Sequence, residues 1–477
     1  MTVRTRIAPS PTGIAHIGTA YIGLLNFAFA RANGGKFILR IEDTDRERYV
    51  PGAEKIIFDA MHWLGLDYDE GPDVGGPYAP YVQSKRLALY RQHAEELVEK
   101  GNAYYCFCSQ ARLTEMRERQ TKEGKIPMYD GTCRKLKPAI AKEREKLEPH
   151  VIRLKVIREG KTQWDDAIRG TIAFENSSID DQVLVKSDGY PTYHLAVVVD
   201  DHRMDISHVI RGEEWISSTP KHLMLYGAFG WKPPVFAHTP LLRNPDRSKL
   251  SKRRNPVSIL WYQEQGYLPQ ALLNYLSLMG WAHPQELDKF SREDFIANFS
   301  LDKVKTTAPI FDLEKLRWLN GAYIREMDDS DLLTELSPFT PKGMTPTLAR
   351  RVLPLVRERI RLLSEFNDQT EFFVTRPEVP KEEVLSQSKH TGAETKQKLQ
   401  AFTGGLGKIK SEDFKAKRLE ETGRSFVEKD WSPTRLFMTV RIAVTGKTAT
   451  PPLFDTIEIL GKKETLERLR DVQNQLR

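Results

Sequence analysis

The amino-acid sequence predicts an α/β protein whose parallel sheet is interrupted by an insertion and followed by an all-helical C-terminal region. Three observations support this prediction. Short strand patterns alternate with helical patterns over the first 65 residues. After a mixed segment, the α/β pattern returns near residue 193. Beyond about residue 330, strand-like patterns nearly vanish and helices rich in Leu, Glu, Lys and Arg follow.

Length, composition and charge narrow the class of protein. A chain of 477 residues is long enough for about three domains, and 40% hydrophobic with 29% charged residues is typical of a soluble globular protein. No apolar run approaches the ~20 residues that a membrane span needs, and the N-terminal residues lack a signal-peptide core. Three cysteines fit a reducing cytoplasm better than a disulfide framework. The formal charge of +7 mildly favours anionic partners, nucleic acid included.

The N-terminal elements form a βαβ unit. Residues 2–7 alternate as a strand does, and the Pro- and Gly-rich residues 9–13 break that strand. Apolar residues recur at helical spacing over 17–32, and residues 33–35 (Asn-Gly-Gly) end the helix. A short buried strand spans 36–42. A second helix follows, with an inward face formed by Ile56, Ile57, Ala60, Met61 and Leu64.

The later segments follow in chain order. The mixed pattern from about Ser84 to Pro191, with a charged helical stretch at 138–148 and a strand-like piece at 150–157, is interpreted as an insertion. The apolar run at 193–199 then ends in two aspartates, and 240–256 is a polar, basic loop. Ligands of a parallel sheet bind beyond the carboxyl ends of its strands, and the junctions after the first two strands occupy such positions.

The junction at residues 8–19 has the features of an anion site. A helix start offers unpaired backbone N–H groups and a partial positive charge. His16 can donate a hydrogen bond to a phosphate, and Gly18 leaves room for a base or ribose. The alternative is that His16 only caps the helix and Gly18 only eases packing.

The basic loop at 243–254 is the second candidate. Flexible lysines at positions 249 and 252 can neutralise charge that moves onto a departing pyrophosphate during adenylation. A solvated basic loop is the alternative interpretation of such a run.

The two segments together resemble the signatures of a known family. HIGT at 16–19 and KLSKR at 249–253 resemble the HIGH and KMSKS motifs of class I aminoacyl-tRNA synthetases. Five further blocks resemble the glutamyl-tRNA synthetases of that class: RIAPSPTG (6–13), RIEDTDRER (40–48), SDGYPTYHLA (187–196), VIRGEEW (209–215) and FDLEKLRWLNGAYIRE (311–326). Thr19 departs from the general motif, which has a second histidine there.

The resemblance implies a reaction and a domain organisation. L-Glutamate would react with ATP to form glutamyl-adenylate, and the glutamyl group would pass to the 3′-terminal adenosine of tRNA(Glu). The implied fold is a Rossmann-like catalytic domain of two parts with an insertion that binds the acceptor end. The predicted segments are the first catalytic part (1–86), the insertion (87–192), the second catalytic part (193–250), a stem-contact segment (251–328) and a helical anticodon-binding region (329–477) with a subdomain boundary near 380.

The resemblance also assigns substrate contacts. Arg6 and Arg211 would hold substrate carboxylate, which suits planar guanidinium groups, and Glu42 would take the ammonium group. Ala8, Ser10 and Tyr193 would complete the glutamate site. The simpler alternatives are a local ion pair between Arg211 and Glu214 and a solvated strand end at Glu42. The implied ATP site comprises His16, Gly18, Glu214, Leu242, Lys249, Leu250, Ser251, Lys252 and Arg253, with His16, Gly18, Lys249 and Lys252 acting in catalysis.

Transfer RNA contacts are expected in two places. Asp45 and Arg48 follow the second strand. In the C-terminal region, a predicted helical apolar stripe runs from Leu348 to Leu363 and is edged by arginines. Arg359 borders the stripe and is expected to read an anticodon base. Arg357 turns farther away and is expected to bind tRNA through phosphate or to stay solvated. A solvated basic face is the alternative.

Metal binding is expected only through ATP. Mg²⁺ accompanies the nucleotide and needs no dedicated protein cage. Cys106, Cys108 and Cys133 resemble a zinc site of some relatives, but residue 135 is a lysine where a fourth ligand would stand, and Tyr129 would be an uncommon substitute. The sequence therefore favours three reduced cysteines over a structural zinc ion.

Rival functions stay open. A non-discriminating enzyme would also charge tRNA(Gln), and a non-catalytic RNA-binding protein would explain the basic charge alone. A glutamyl-queuosine tRNA synthetase would lack the long helical C-terminal part, and a glutaminyl enzyme would carry β-barrels there. The expected enzyme acts as a cytoplasmic monomer.

Overall fold

A computed structural model describes residues 2–248, 250 and 256–476. The chain forms two compact units, Met1–Gln263 with Pro269–Leu313, and Glu264–Leu268 with Glu314–Arg477. The finer domain boundaries expected from the sequence are not tested by this division and stay predictions. Across the described part of the chain, every helix is too short or too polar to cross a membrane.

The first unit contains all the strands of the described residues: β1 (Arg4–Ile7), β2 (Lys36–Leu39), β3 (Ala103–Cys106), β4 (Val151–Leu154), β5 (Lys161–Asp166), β6 (Gly170–Glu175), β7 (Val183–Val185), β8 (His208–Gly212) and β9 (Val235–Thr239). Its helices are α1 (Ile17–Ala32), α2 (Ala53–Trp63), α3 (Leu87–Glu99), α4 (Gln110–Lys122), α5 (Pro138–Glu145), α6 (Tyr193–Arg203), α7 (Thr219–Phe229), α8 (Ile259–Glu264), α9 (Pro269–Ser277) and α10 (Arg292–Asn298).

The strands that position the site are parallel. β1 pairs with β2, with Arg4 opposite Lys36, and β8 pairs with β9 in the same sense. The backbone N–H of Ser207, just before β8, donates to the Arg4 carbonyl at 3.0 Å and joins the two pairs. Because these strands run the same way, the loops after β1, β2, β8 and β9 meet at one edge.

The predicted N-terminal βαβ unit is confirmed. Helix α1 begins at Ile17 and ends at Ala32, where the glycines were expected to stop it. A Cβ at Gly35 would lie 2.3 Å from the Val3 carbonyl oxygen, so the chain needs glycine to return beside β1. On α2, four of the five predicted inward residues are buried, and Ile56 is half-buried.

The inserted segment shares a core with the catalytic part. β3, β4 and β7 form an antiparallel sheet, and β5 and β6 form an antiparallel pair. Trp164 and Leu184 from these strands pack in one hydrophobic cluster with Val197, Val209 and Phe236. The apolar run at 193–199 lies in helix α6, and the two aspartates that follow it are buried within the same helix, which ends at Arg203.

The described residues beyond 313 are helical, as predicted. The helices are α11 (Leu313–Glu326), α12 (Asp329–Leu336), α13 (Pro346–Val356), α14 (Glu365–Thr370), α15 (Lys381–Ser388), α16 (Gly392–Gly407), α17 (Ala416–Arg424), α18 (Pro433–Thr445), α19 (Leu453–Leu460) and α20 (Lys462–Gln475). A separate hydrophobic core spans Val384 to Leu476.

The predicted helical stripe around Arg359 is wrong in its second half. Helix α13 ends at Val356, and residues 357–359 form a turn in which the Arg359 N–H donates to the Val356 carbonyl at 2.8 Å. Ile360 is buried by this turn and not by a continuing helix. Arg359 is exposed, whereas Arg357 is only 20% exposed and forms an ion pair with Asp329. Packing therefore restrains Arg357 and not Arg359.

Candidate active site

A cavity of about 850 Å³ opens at the carboxyl edge of the parallel strands. Its walls come from the loop after β1, the start of α1, residues 42–48 after β2, the start of α6, and the ends of β8 and β9. The cavity brings together every described catalytic-unit residue that the sequence predicted: Arg6, Ala8, Ser10, His16, Gly18, Glu42, Asp45, Arg48, Tyr193, Arg211, Glu214, Leu242 and Leu250.

The remaining predicted ATP contacts, Lys249, Ser251, Lys252 and Arg253, lie outside the described residues. Their described neighbour Leu250 is buried, and its N–H donates to the Leu242 carbonyl at 3.3 Å. This hydrogen bond places Leu250 beside Leu242 in the wall of the cavity.

His16 and Gly18 form the start of α1. His16 is the N-cap residue, and its Nδ1 accepts a hydrogen bond from the Gly18 N–H at 2.9 Å. In a neutral ring the proton then lies on Nε2, which makes Nε2 a hydrogen-bond donor. A Cβ at position 18 would lie 3.0 Å from His16 Nδ1, so the glycine also keeps the capping histidine in place. His16 therefore caps the helix through Nδ1, and this hydrogen bond does not involve Nε2.

Arg6 is held by a buried carboxylate. Its Nε and Nη2 donate to the two oxygens of Asp201, at 3.1 and 3.3 Å. The fully buried Arg40 donates to the same Asp201 at 2.8 Å and to Glu42 at 3.0 Å. Although burial acts to raise it, the pKa of Asp201 is lowered by Arg6 and Arg40. The position of Asp201 after an apolar run did not indicate this role from the sequence alone.

Glu42 is not a solvated strand end. Its side chain is 8% exposed, and its Oε1 accepts from Arg40. Burial raises the pKa of Glu42, against the opposing effect of Arg40 and Arg6. A buried carboxylate on a cavity wall suits recognition of an ammonium group.

Arg211 is buried among neutral acceptors. Its Nη2 donates to Thr219 Oγ1 at 2.7 Å, its Nη1 lies 3.2 Å from His222 Nδ1, and its Nε donates to His238 Nε2 at 3.1 Å. Nη1 also donates to Tyr193 Oη at 3.3 Å. Burial lowers the pKa of Arg211, because the cation is removed from water.

The alternative of an ion pair between Arg211 and Glu214 is wrong. Within the described residues, no carboxylate lies within the 4.0 Å of an ion pair to Arg211. Glu214 is exposed, with a carboxylate that lies beside Gly212. The neighbouring Glu213 pairs instead with Arg169 of the insertion at 2.6 Å. Arg211 therefore carries a positive charge into the cavity without a carboxylate partner in the described chain.

Asp45 and Arg48 lie at the rim of the cavity and contact each other. Arg48 Nε donates to Asp45 Oδ2 at 2.6 Å, and this hydrogen bond lowers the pKa of Asp45. The Arg48 side chain is 71% exposed, so the pair is accessible to a large ligand that approaches the opening. A solvated ion pair of this kind contributes little to stability.

The three cysteines converge with Tyr129. The three Sγ atoms lie within 4.8 Å of one another, and Cys108 Sγ is 3.6 Å from Cys133 Sγ. Tyr129 Oη lies 3.4 Å from both Cys106 Sγ and Cys108 Sγ. Ligands at Zn–S distances of 2.3 Å in a tetrahedron stand about 3.8 Å apart. The donor atoms present therefore have the number and spacing that zinc requires.

Two arginines lie next to this cysteine cluster. Arg112 Nη1 donates to Cys108 Sγ at 3.3 Å, and the Arg153 guanidinium lies 4.3 Å from the centroid of the Tyr129 ring. Positive groups beside the cluster stabilise thiolate, the form of cysteine that binds metal. The sequence pattern showed the cysteines but not these arginines, which are brought in by folding.

The comparisons with known proteins define a class first. Residues 2–318 match the family described as class I tRNA synthetases (E and Q), catalytic domain, and residues 331–473 match an anticodon-binding domain family. Both matches agree with the α/β unit and the helical C-terminal region described above.

The individual relatives narrow that class. A glutamate–tRNA ligase of Thermus thermophilus is 47% identical over 98% of this chain and 99% of its own, and one of Fusobacterium nucleatum is 46% identical over 98% and 97%. The crystal structure of a glutamate tRNA ligase from Elizabethkingia meningosepticum in complex with its amino acid is similar over 100% of both chains, with a TM-score of 0.88 and 34% identity. The chain belongs to the glutamate–tRNA ligase family of class I synthetases.

Proposed function

We propose that this enzyme activates L-glutamate with ATP and transfers it to the 3′-terminal adenosine of tRNA(Glu). One observation carries the proposal: a single cavity contains a buried arginine without a carboxylate partner in the described chain, a buried glutamate and the start of a helix. These groups complement a substrate carboxylate, an ammonium group and a phosphate, respectively.

The charges of the cavity match glutamate. Glutamate brings two carboxylates and one ammonium group, with a net charge of −1. Arg6 is neutralised by Asp201, so Arg211 supplies the excess positive charge, and Glu42 faces the ammonium group. Ala8, Ser10 and Tyr193 complete the wall at which the amino acid binds. Arg211→Ala should weaken glutamate use and leave tRNA affinity nearly intact. Loss of tRNA binding with normal glutamate kinetics would assign Arg211 to the RNA surface instead.

ATP binds along the start of α1. His16 Nε2 donates to a phosphate oxygen, and the positive end of the α1 dipole attracts the phosphates, although the N–H groups of its first turn are already bonded within the protein. Gly18, Glu214, Leu242 and Leu250 line the nucleotide side of the cavity. Mg²⁺ would accompany ATP, and when bound it would neutralise part of the phosphate charge. Lys249 and Lys252, with Ser251 and Arg253, complete the phosphate site as the family signature implies.

Adenylation needs no general base. A carboxylate oxygen of glutamate attacks the α-phosphorus, the bond to the bridging oxygen breaks, and pyrophosphate leaves. A ribose hydroxyl of the terminal adenosine then attacks the activated carbonyl, and AMP leaves. The enzyme contributes position and charge stabilisation. Lys252→Ala should lower adenylation turnover by about 100-fold or more, with a smaller effect on ATP binding. Unchanged turnover in tRNA-dependent ATP–pyrophosphate exchange would contradict this role.

Transfer RNA specificity is tested by charging purified tRNA(Glu) and tRNA(Gln) side by side. Charging of tRNA(Glu) alone is the expected result, and equal charging of both would identify a non-discriminating enzyme. If glutamate-dependent ATP–pyrophosphate exchange were absent with either tRNA, the chain would be an RNA-binding protein instead. We further propose that the enzyme acts as a cytoplasmic monomer, which its three free cysteines and sedimentation at the monomer mass would support.

Asp45 and Arg48 contact the acceptor end, and Arg357 and Arg359 contact the anticodon in this proposal. The exposed Arg359 is available to read a base edge, and Arg357 is engaged by Asp329. Arg359→Gln should raise charging of tRNA(Gln) relative to tRNA(Glu), by about 10-fold for a bidentate base contact. The matched control is Arg361→Gln, another exposed arginine. Equal loss on both tRNAs would make Arg359 a phosphate contact.

We propose that Cys106, Cys108, Cys133 and Tyr129 hold a structural zinc ion. When bound, zinc fixes the strand end at Cys106 against the turn at Cys133 and takes no part in the reaction. Elemental analysis of purified protein should find one zinc per chain, and Cys108→Ser should abolish it. Tyr129→Phe should lower zinc retention, whereas Tyr104→Phe, the stacked neighbour, is the control. Absence of zinc from the wild-type protein would restore the interpretation as three reduced cysteines.

A further inference from the structure

A buried histidine links Arg211 to a carboxylate of the inserted segment. His238 Nε2 accepts from Arg211 Nε at 3.1 Å, and His238 Nδ1 lies 2.5 Å from Asp166 Oδ2. His238 lies on β9, in the parallel pair, whereas Asp166 ends β5 of the segment between α3 and α6. Both side chains are fully buried. The inserted segment therefore reaches the residue that supports the proposed substrate arginine.

The hydrogen-bonding capacity of arginine fixes the tautomer of His238. A guanidinium group only donates, so His238 Nε2 carries no proton and the single ring proton lies on Nδ1, where it donates to Asp166. Burial lowers the pKa of His238, which agrees with a neutral ring. The same logic places the proton of His222 on Nε2, which faces His194 Nδ1 at 3.1 Å.

Asp166 is held so that only one of its oxygens can face the histidine. Its Oδ1 accepts three backbone N–H groups, those of Ile168 at 3.1 Å, Arg169 at 3.2 Å and His238 at 3.1 Å. An asparagine at this position has to present its oxygen to those three donors. Its NH₂ group then faces His238 Nδ1, and the ring proton moves to Nε2, against the Nε–H of Arg211.

We infer that Asp166 and His238 are positioning residues for glutamate recognition: Asp166 sets the tautomer of His238, and His238 in turn orients Arg211. Neither side chain lines the cavity. The inference rests on the proposed role of Arg211 in binding a substrate carboxylate. It assigns to the inserted segment a function in amino-acid recognition, in addition to the expected contact with tRNA.

The first test is the kinetics of Asp166→Asn. The variant should raise the KM for glutamate by about 10-fold or more, because Arg211 loses an acceptor and meets a donor. The KM for ATP and the affinity for tRNA should stay within about two-fold, since neither ligand contacts Arg211. Asp165→Asn is the matched control, because Asp165 is the exposed neighbour on the same strand and should have no effect.

A double-mutant cycle separates control of the His238 tautomer by Asp166 from a purely structural role in which Asp166 holds the β5–β6 hairpin in place. In the His238→Gln variant, the oxygen of the introduced amide can accept from Arg211 without needing a carboxylate behind it. Asp166→Asn should therefore change the glutamate KM by less than about two-fold in the His238→Gln background. An equal effect of Asp166→Asn in both backgrounds would show that Asp166 only holds the hairpin, and would overturn the inference.

The ¹⁵N shifts of histidine-labelled protein report the tautomer directly. The signal of His238 is identified as the one that His238→Gln lacks. In the wild type this signal should have the shift of an Nδ1–H ring, and in Asp166→Asn it should have the shift of an Nε2–H ring. A wild-type ring protonated on Nε2 would also overturn the inference. If the tautomer behaves as expected but glutamate supports no exchange in the wild type, the proposed function fails while the hydrogen-bond assignment stands.

Discussion

Two buried arginines, Arg6 and Arg211, line the same cavity, and the groups around them differ in charge. Around Arg6, three arginines (Arg6, Arg40 and Arg86) meet three carboxylates (Glu42, Asp200 and Asp201), so this group is balanced within the described chain. Around Arg211 the acceptors are two neutral imidazoles and two hydroxyls. The first arrangement fixes the wall of the cavity, and the second leaves a charge for a ligand to neutralise.

The difference follows from the cost of burying charge. Removing an ion from water is unfavourable unless a partner compensates for it, and a buried pair left with one member is strongly destabilised. Hydrogen bonds from Arg211 to neutral acceptors satisfy its donors without cancelling its charge. An anionic substrate thus gains more at Arg211 than at Arg6, where it competes with Asp201.

The largest expected effect breaks the balanced group. Asp201→Ala should lower the free energy of unfolding by about 3–5 kcal/mol, because Arg6 and Arg40 would stay buried without their shared carboxylate. The midpoint of urea unfolding measures the change. Asp205→Asn removes a charge four residues later, at a positive φ of 52° that asparagine tolerates, and should cost far less. Similar losses in both variants would contradict the special role of Asp201.

The second effect concerns pH and the neutral acceptors of Arg211. Burial lowers the pKa of His222 and His238 below the ordinary 6.5, and the pKa of His194 to about 3. Below pH 6.5 the unfolded chain binds protons that the folded chain does not, so stability falls as pH falls, by about 1.4 kcal/mol per pH unit for each such histidine. Because the pKa of Asp201 is lowered, the contribution of Asp201 to stability is lost only as the pH falls below the ordinary aspartate pKa of 3.8.

His222→Gln should therefore make stability fall less steeply as the pH is lowered from 6.5 to 4.5, because a histidine that resists protonation in the folded protein has been removed. Urea unfolding at a series of pH values measures the slope. His62→Gln is the control, because the His62 side chain is 50% exposed. An unchanged slope in His222→Gln would mean that His222 is protonated in the folded protein, and the comparison between the two arginines would fail.

A third prediction concerns the substrate-facing member of the balanced group. Glu42→Gln should raise the KM for glutamate about 10- to 100-fold, because a charge-assisted bond to the ammonium group is lost. Steady-state charging with varied glutamate gives the value. Glu47→Gln, at an exposed glutamate that lines the same cavity, is the matched control. If both variants behaved alike, the ammonium site would lie elsewhere on the wall.

The smallest effect is expected at Tyr193. Tyr193→Phe removes one of several acceptors of Arg211 and should raise the KM for glutamate about five-fold, the value of one ordinary hydrogen bond. The same charging assay applies, with Tyr190→Phe as the control. A change of 100-fold would indicate that the hydroxyl contacts the substrate itself, and no change would show that the other acceptors suffice.

Much of the site could be predicted from the sequence because its residues lie in short continuous segments. The segments 6–19, 40–48 and 209–215 each include or directly follow the carboxyl end of a strand, and parallel strands bring these ends together without further information. Arg6, Glu42 and Arg211 were assigned by the resemblance of these segments to family motifs, and the cavity contains all three.

The supporting residues could not be predicted in the same way. Asp166 and His238 are 72 residues apart, and Arg6 and Asp201 are 195 apart, so no local pattern links them. Periodicity also misled at Arg359, because apolar residues continue beyond Val356 while the backbone turns. Apolar spacing indicates which residues face a core. Around residues 356–360, a helix that continues and a helix that ends in a turn would both give the same apolar spacing.

The pairing of Arg6 with Asp201 has a consequence for synthesis on the ribosome. The N-terminal strand emerges first, yet its arginine finds its carboxylate 195 residues later, and the Arg4 backbone pairs with Ser207 after 203 residues. At ribosomal speeds of 5–20 residues per second, the wait is roughly 10–40 s. During that interval Arg6 lacks its carboxylate, and burial of an unpaired cation is unfavourable. The contacts of the N-terminal strand with Asp201 and Ser207 can therefore form only after residues 201–207 have been synthesised.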